Sequence, residues 1–387
     1  MRPARGLAGA PWGHIVRAAA VLAAGMGVGR FVYTPILPLM TAQAGLSARA
    51  GAGLATANYV GYLAGALGGI LLPRLVRSPA VLRCSLLVLV ATLAAMPSTH
   101  ATAVWLGLRL LAGVASALIF VIAVSSVLGH LRGHPVHLPG WAFGGIGAGI
   151  ALSGLLVLVL RSVADWRAAW WAAAGLTVLL AVASWNLRPE PEPAPRPADS
   201  GDGRAKGLFA ALFVSYTLEG VGYIIAGTFL VAAIEQRAPA WIGSAAWTLV
   251  GLAAVPSSAL WAWLHRRWSR PGLLVTALVV QAAGIATPAL LGGVAAALIS
   301  AALFGATFVG VSTLALGAGT DLRFPRSVAL LTAGYSAGQI AGPLIVTPLL
   351  HHGYRDALVL AAVIVLVAAA SAGVLRRRGP GAPPGRG

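Results

Sequence analysis

Three ionisable side chains stand inside stretches that are otherwise almost free of charge: Arg30, Arg109 and Glu219. In an apolar setting each is costly unless it is paired or hydrated, so each calls for a partner or a task. A guanidinium can hold a carboxylate or phosphate through paired hydrogen bonds. A carboxyl group can take up and release a proton. Polar and aromatic residues recur near these groups at helical spacing. Arg30, Tyr33, Thr34 and Leu37 fall on one face of their stretch, and Asn58 and Tyr62 on one face of the next. Tyr216, Glu219 and Tyr223 form a third stripe, and Thr332, Tyr335 and Gln339 a fourth. The sequence predicts that Arg30, Tyr33, Thr34, Asn58, Tyr62, Tyr216, Glu219, Tyr223, Tyr335 and Gln339 line one watery pocket that holds a small polar molecule. Arg30 and Glu219 are expected to face each other there. Structural ion pairs between packed helices are the plainer alternative.

Other chemistry is poorly supported. His130, His134 and His137 are close in sequence but have no carboxylate or cysteine beside them, and read as a solvated loop rather than a metal site. No glycine loop followed by lysine and Ser/Thr is present to cradle a phosphate. The nine acidic residues are dispersed, which argues against a membrane-bound transferase. Cys84 is the single cysteine, so an intrachain disulfide is excluded. No cofactor or metal is expected.

The elements that must position these residues follow from composition. Only 9% of the 387 residues are charged, 58% are apolar, and the mean hydropathy is +0.86. Apolar runs near 20 residues long are the length of helices that cross a bilayer. Twelve are predicted, at 14–40, 50–72, 79–97, 102–128, 139–161, 166–187, 207–234, 241–264, 271–291, 293–318, 327–350 and 356–375. The longest connection, Arg188 to Lys206, carries proline at 189, 191, 193, 195 and 197, which blocks helix and sheet alike. It divides the chain into a six-helix unit at 1–187, a linker at 188–206 and a second six-helix unit at 207–387. The net charge of +18 would suggest nucleic acid in a soluble protein, but here it tracks topology. With the N-terminus inside, 20 of the 27 basic residues fall on the inner side and 5 on the outer, leaving Arg30 and Arg109 within spans. Both termini are therefore expected in the cytoplasm.

The halves resemble each other. Gly27-Val28-Gly29 recurs as Gly220-Val221-Gly222, Val60-Gly61 as Val250-Gly251, Gly145-x-x-x-Gly149 as Gly334-x-x-x-Gly338, and Trp166-Arg167 as Tyr354-Arg355. The order is kept and the offset is nearly constant. Parallel repeats of this kind mark carriers whose halves rock about a central site.

Several stretches carry a family resemblance. These are Gly27-Val28-Gly29-Arg30-Phe31-Val32-Tyr33-Thr34-Pro35-Ile36-Leu37-Pro38-Leu39-Met40, Tyr216-Thr217-Leu218-Glu219-Gly220-Val221-Gly222-Tyr223, Gly227-Thr228-Phe229-Leu230 and Ala333-Gly334-Tyr335-Ser336-Ala337-Gly338-Gln339. With them the whole chain resembles the major facilitator superfamily, in its YbfB/YjiJ-type branch of bacterial inner-membrane transporters. Arg109-x-x-x-Gly113 is similar to that superfamily's span-4 motif, whose arginine is associated with proton coupling. Gly338-x-x-x-Gly342-Pro343 is similar to the glycine–proline motif of antiporters, but lies in span 11 rather than span 5. The loop from Gly69 to Arg77 lacks the acidic member of the superfamily's pattern. The resemblance implies an all-α membrane protein of two pseudo-symmetric six-helix bundles. It further implies a monomeric secondary active transporter, embedded in lipid, that works by alternating access. Two arginines against one glutamate point to a small polar or anionic organic solute, and Glu219 with Arg109 to coupled protons. A proton-driven multidrug or sugar exporter is the alternative.

Overall fold

A computed structural model describes residues 11–131, 134, 138–188, 203–322, 324 and 326–378. His137 and linker residues 189–202 lie outside them. The described residues form helices and connecting turns, with no strand among them. Among the described residues, eleven helices are long and apolar enough to cross a membrane: span 1 at Trp12–Ala44, then spans 3 to 12 at Pro79–Ser98, Thr102–His130, Leu138–Leu160, Trp166–Ser184, Ala205–Glu235, Ala240–Leu264, Arg270–Leu290, Gly293–Asp321, Ser327–His351 and Arg355–Arg376. The 24-residue helix Ala48–Leu71 is span 2 and completes two sets of six.

Helix ends follow local chemistry. Ser47, Ser78, Asp165 and Ser269 cap spans 2, 3, 6 and 9 by accepting a backbone N–H three residues on. The tight joint between spans 9 and 10 depends on Gly292 and Gly293, at φ +66° and +78°, where a side chain would be strained.

The packing repeats between the halves. Span 1 lies on spans 5 and 6, as span 7 lies on spans 11 and 12; span 2 lies on span 4, as span 8 on span 10; span 3 lies on spans 4 and 6, as span 9 on spans 10 and 12. The repeated glycine pairs do the same job in each half. Gly145 and Gly149 face the backbone of Ala19 and Ala23 on span 1, while Gly334 and Gly338 face Thr217 on span 7. The bundles meet through spans 5 and 8, the equivalent pair 2 and 11, and the Tyr33–Ala44 part of span 1 against span 7.

Small residues set the closeness of the 5–8 seam. Gly140, Gly144, Gly147 and Gly154 on span 5 lie against the backbone of Ala259, Val255 and Thr248. A Cβ on Gly251 of span 8 would overlap the backbone of Ala151. Gly251→Val is expected to lower stability by about 1–3 kcal/mol, seen as a reduced melting temperature of the purified protein. Gly175→Val, at a position with nothing within 4 Å, should leave it unchanged.

Candidate solute site

Span 1 is not a continuous α-helix. It runs as α-helix over Pro11–Leu22, widens to a π-helix over Ala23–Val28, turns through residues 29–32, and resumes as α-helix over Tyr33–Ala44. Three glycines at 25, 27 and 29 weaken the helix there, and Pro35 and Pro38 remove two backbone donors just beyond. Interrupted helices at membrane depth are tolerated where neighbouring groups satisfy the freed backbone. Arg109 on span 4 supplies that service. Its Nη1 and Nη2 donate to the carbonyls of Gly29 and Arg30 at 3.3 and 3.2 Å, and its guanidinium lies 5.0 Å from the Tyr33 ring centre. Asn58 Nδ2 donates to the Arg109 carbonyl at 2.9 Å, tying span 2 to span 4.

The break rotates residues that regular helical spacing would align. Arg30 and Thr34 reach across to the second bundle: Thr34 Oγ1 donates to the carbonyl of Gly227 on span 7. Tyr33 turns back into its own bundle, donating to the carbonyl of Gly51 at 2.9 Å and stacking near Trp170. The predicted common face of Arg30 and Tyr33 is thus split by the wound-out turn between them.

Arg30 is the centre of the arrangement. It is 3% exposed, and no carboxylate pairs with it among the described residues. Its Nη2 donates to Oε1 of Gln339 on span 11 at 2.6 Å, and its Nε has no hydrogen-bond partner. The guanidinium carbon lies 4.3 Å from the ring centre of Tyr62, 4.9 Å from that of Tyr59 and 5.5 Å from that of Phe31. Aromatic faces attract a cation but carry no neutralising charge. Gln339 Nε2 in turn donates to the Tyr223 hydroxyl at 2.9 Å. Tyr335 stacks between Tyr223 and Tyr216, with ring centres 5.4 and 4.4 Å away. Phe308 on span 10 contacts both Phe31 and Tyr223. The residues nominated from sequence are all buried apart from the half-buried Tyr335, so this conformation encloses them rather than opening a watery pocket.

Glu219 does not face Arg30. No ion pair or hydrogen bond joins them among the described residues. Its side chain is fully buried towards Gln281 on span 9 of its own bundle, and neither of its oxygens makes a hydrogen bond of ordinary geometry. Arg109 is likewise engaged with span 1 rather than with Glu219. Glu219 lies one helical turn from Tyr223, yet the tyrosine reaches the bundle seam while the acid turns inward.

Sequence reasoning missed Tyr59, which lies under Arg30 and exchanges a 2.8 Å hydrogen bond with Thr228 on span 7. It also missed Phe31, Phe308 and Gln281. Tyr59 precedes Tyr62 by three residues, which is itself helical spacing and was the available signal. A further cross-bundle contact is ionic: Arg161, just beyond the end of span 5, donates to Glu235 Oε1 at 2.8 Å and to Ser244 Oγ at 3.2 Å, and also reaches the Ala240 carbonyl. It joins the bundles at the span ends opposite the termini, while Thr34–Gly227 and Tyr59–Thr228 join them deeper in the membrane.

Arg109 holds backbone and Arg30 does not, which separates their effects on stability. Arg109→Ala is expected to cost about 3 kcal/mol, from two lost charge-assisted hydrogen bonds, and to lower the melting temperature. Arg30→Ala should not lower it. The reverse order would mean that Arg30 is the structural arginine.

Comparison with known proteins agrees with this architecture. The model for the family described as "Uncharacterised MFS-type transporter YbfB" matches residues 22–372. A crystal structure of a point mutant of the nucleoside transporter NupG superposes with a TM-score of 0.74 at 12% identity, covering 93% of this chain and 98% of that one. At that identity the likeness is one of fold. No curated protein matches the chain. The match of that family model over residues 22–372 places this chain, with its two related six-helix bundles, in the YbfB-type family of major facilitator transporters.

Proposed function

We propose that this transporter moves a small anionic organic solute by alternating access, with Arg30 as the anion-binding group. The supporting observation is the buried guanidinium without a counter-ion at the junction of the bundles. A charge removed from water and left unpaired is expensive, and a solute that brings a carboxylate or phosphate supplies the missing partner. The aromatic walls from Tyr59, Tyr62 and Tyr223 would cover the apolar part of such a solute.

Glu219 is proposed to carry a coupled proton. An ionised carboxylate there would have no cation beside it, so its proton-loaded form suits this closed conformation. The coupling would not run through a direct Arg30–Glu219 pair. It would run through the tyrosines, since Tyr223 contacts the Arg30–Gln339 pair and lies one turn from Glu219. The units 1–187 and 207–387 are proposed to rock about the 5–8 and 2–11 seams. The excess of basic residues on the side of the termini supports both termini in the cytoplasm, and the resemblance to YbfB-type transporters supports a bacterial inner membrane.

A thermal-shift screen of purified protein against carboxylates, phosphates and neutral analogues tests the solute class, because bound ligand raises apparent stability. Anionic compounds should stabilise the wild type, and Arg30→Gln should lose that response; a variant that keeps it would remove Arg30 from the site. In proteoliposomes with the best ligand, a pH gradient should drive accumulation by the wild type. Glu219→Gln should abolish that accumulation and retain exchange, and unchanged accumulation would exclude Glu219 as the proton carrier.

The closed face gives a separate prediction. Arg161→Glu should repel Glu235 and open the bundles opposite the termini. In a Cys84→Ser background, a cysteine at position 34 should then react faster with a membrane-impermeant maleimide by about tenfold, the factor that corresponds to about 1.4 kcal/mol.

A further inference from the structure

We propose that the side-chain amide of Gln339 is a built-in stand-in for the solute's anionic oxygen, allowing the empty carrier to close over Arg30. This rests on the anion-site reading above and assigns Gln339 a role beyond lining that site. Three observations carry it. Gln339 Oε1 is the hydrogen-bond acceptor that the second bundle presents to Arg30, at 2.6 Å. Both side chains are buried, Gln339 at 1% exposure. The amide is oriented by its other end, since Nε2 donates to Tyr223 at 2.9 Å, which fixes the oxygen towards the guanidinium.

The Gln339 amide oxygen accepts a hydrogen bond from Nη2 but contributes no charge. It therefore lowers the cost of burying Arg30 without matching what a carboxylate would give. A solute carboxylate can take Nη2 from Gln339 and also engage Nε, which has no partner now. The amide then becomes free to donate to the solute. A neutral residue here is thus a compromise: strong enough for the empty site to close, weak enough to be displaced. Glutamate at this position would be a permanent counter-ion, and alanine would leave the guanidinium facing the second bundle with no acceptor.

The test uses the full chain in nanodiscs, with melting temperature as the readout. Benzoate, succinate and inorganic phosphate serve as probes, and benzamide as the neutral control. For the wild type, at least one anion should raise the melting temperature while benzamide does not. Gln339→Glu should melt higher than wild type without ligand, lose that gain below about pH 4 as the new carboxyl protonates, and bind the anion at least about tenfold more weakly. Gln339→Ala should melt lower without ligand and keep its response to the anion. If Gln339→Glu binds the anion as wild type does, or gains no ligand-free stability, the stand-in role is overturned. Arg30→Gln keeps the two readings apart. If it loses the anion response while Gln339→Glu keeps it, the anion site survives and only the role of Gln339 falls. If Arg30→Gln still responds, or the wild type responds to none of the three anions, the anion site itself falls.

Discussion

A guanidinium buried at the junction of two bundles, with a neutral amide where a counter-ion would be expected, is the constraint on which the rest of this molecule turns. The cost of holding Arg30 out of water is spread over several side chains. Gln339 of span 11 accepts one hydrogen bond, and Tyr59 and Tyr62 of span 2 and Phe31 of span 1 offer their rings. None of them cancels the charge. Such incompleteness is what the proposed anion site requires, because a guanidinium satisfied by its own side chains would gain little from a solute. Arg109 makes the contrast: buried equally deeply and also with an unpartnered Nε, it gives Nη1 and Nη2 to two backbone carbonyls and so serves the shape of span 1.

The scaffold around this centre is built from pairs of equivalent contacts. Glycines bring span 5 onto span 1 and span 11 onto span 7, and again bring spans 5 and 8 into backbone contact between the bundles. Smooth seams of this kind resist little sliding, while the discrete polar contacts, Thr34–Gly227, Tyr59–Thr228 and Arg161–Glu235, hold one closed arrangement. The interruption in span 1 links the two. It aims Arg30 and Thr34 at the second bundle while Tyr33 stays anchored in the first.

Much of this was legible in the sequence, for reasons that differ by level. Span positions depend on apolar length and flanking charge, and Arg270–Leu290 and Gly293–Asp321 separate at Gly292-Gly293 because only glycine readily takes that turn. The internal repeat was readable because Gly145 and Gly334 meet the same steric demand in each half. The pairing of side chains was less accessible. Alignment of Arg30 with Tyr33 assumed a regular helix, and the π-helix at Ala23–Val28 defeats that assumption. Glu219 and Arg30 were natural partners by charge alone, yet the acid turns to Gln281, an uncharged residue in an apolar span that nothing in the pattern singles out. Charge attracts attention in a sequence; which way a helix face turns is decided by the packing of its neighbours.

The most direct measurement is a cryo-electron microscopy map of the protein with a saturating anionic ligand. The expected map has ligand density with its anionic group on the Arg30 guanidinium, and the Gln339 amide moved off Nη2. Ligand density away from Arg30, or an Arg30–Gln339 contact unchanged beside a bound anion, would contradict it.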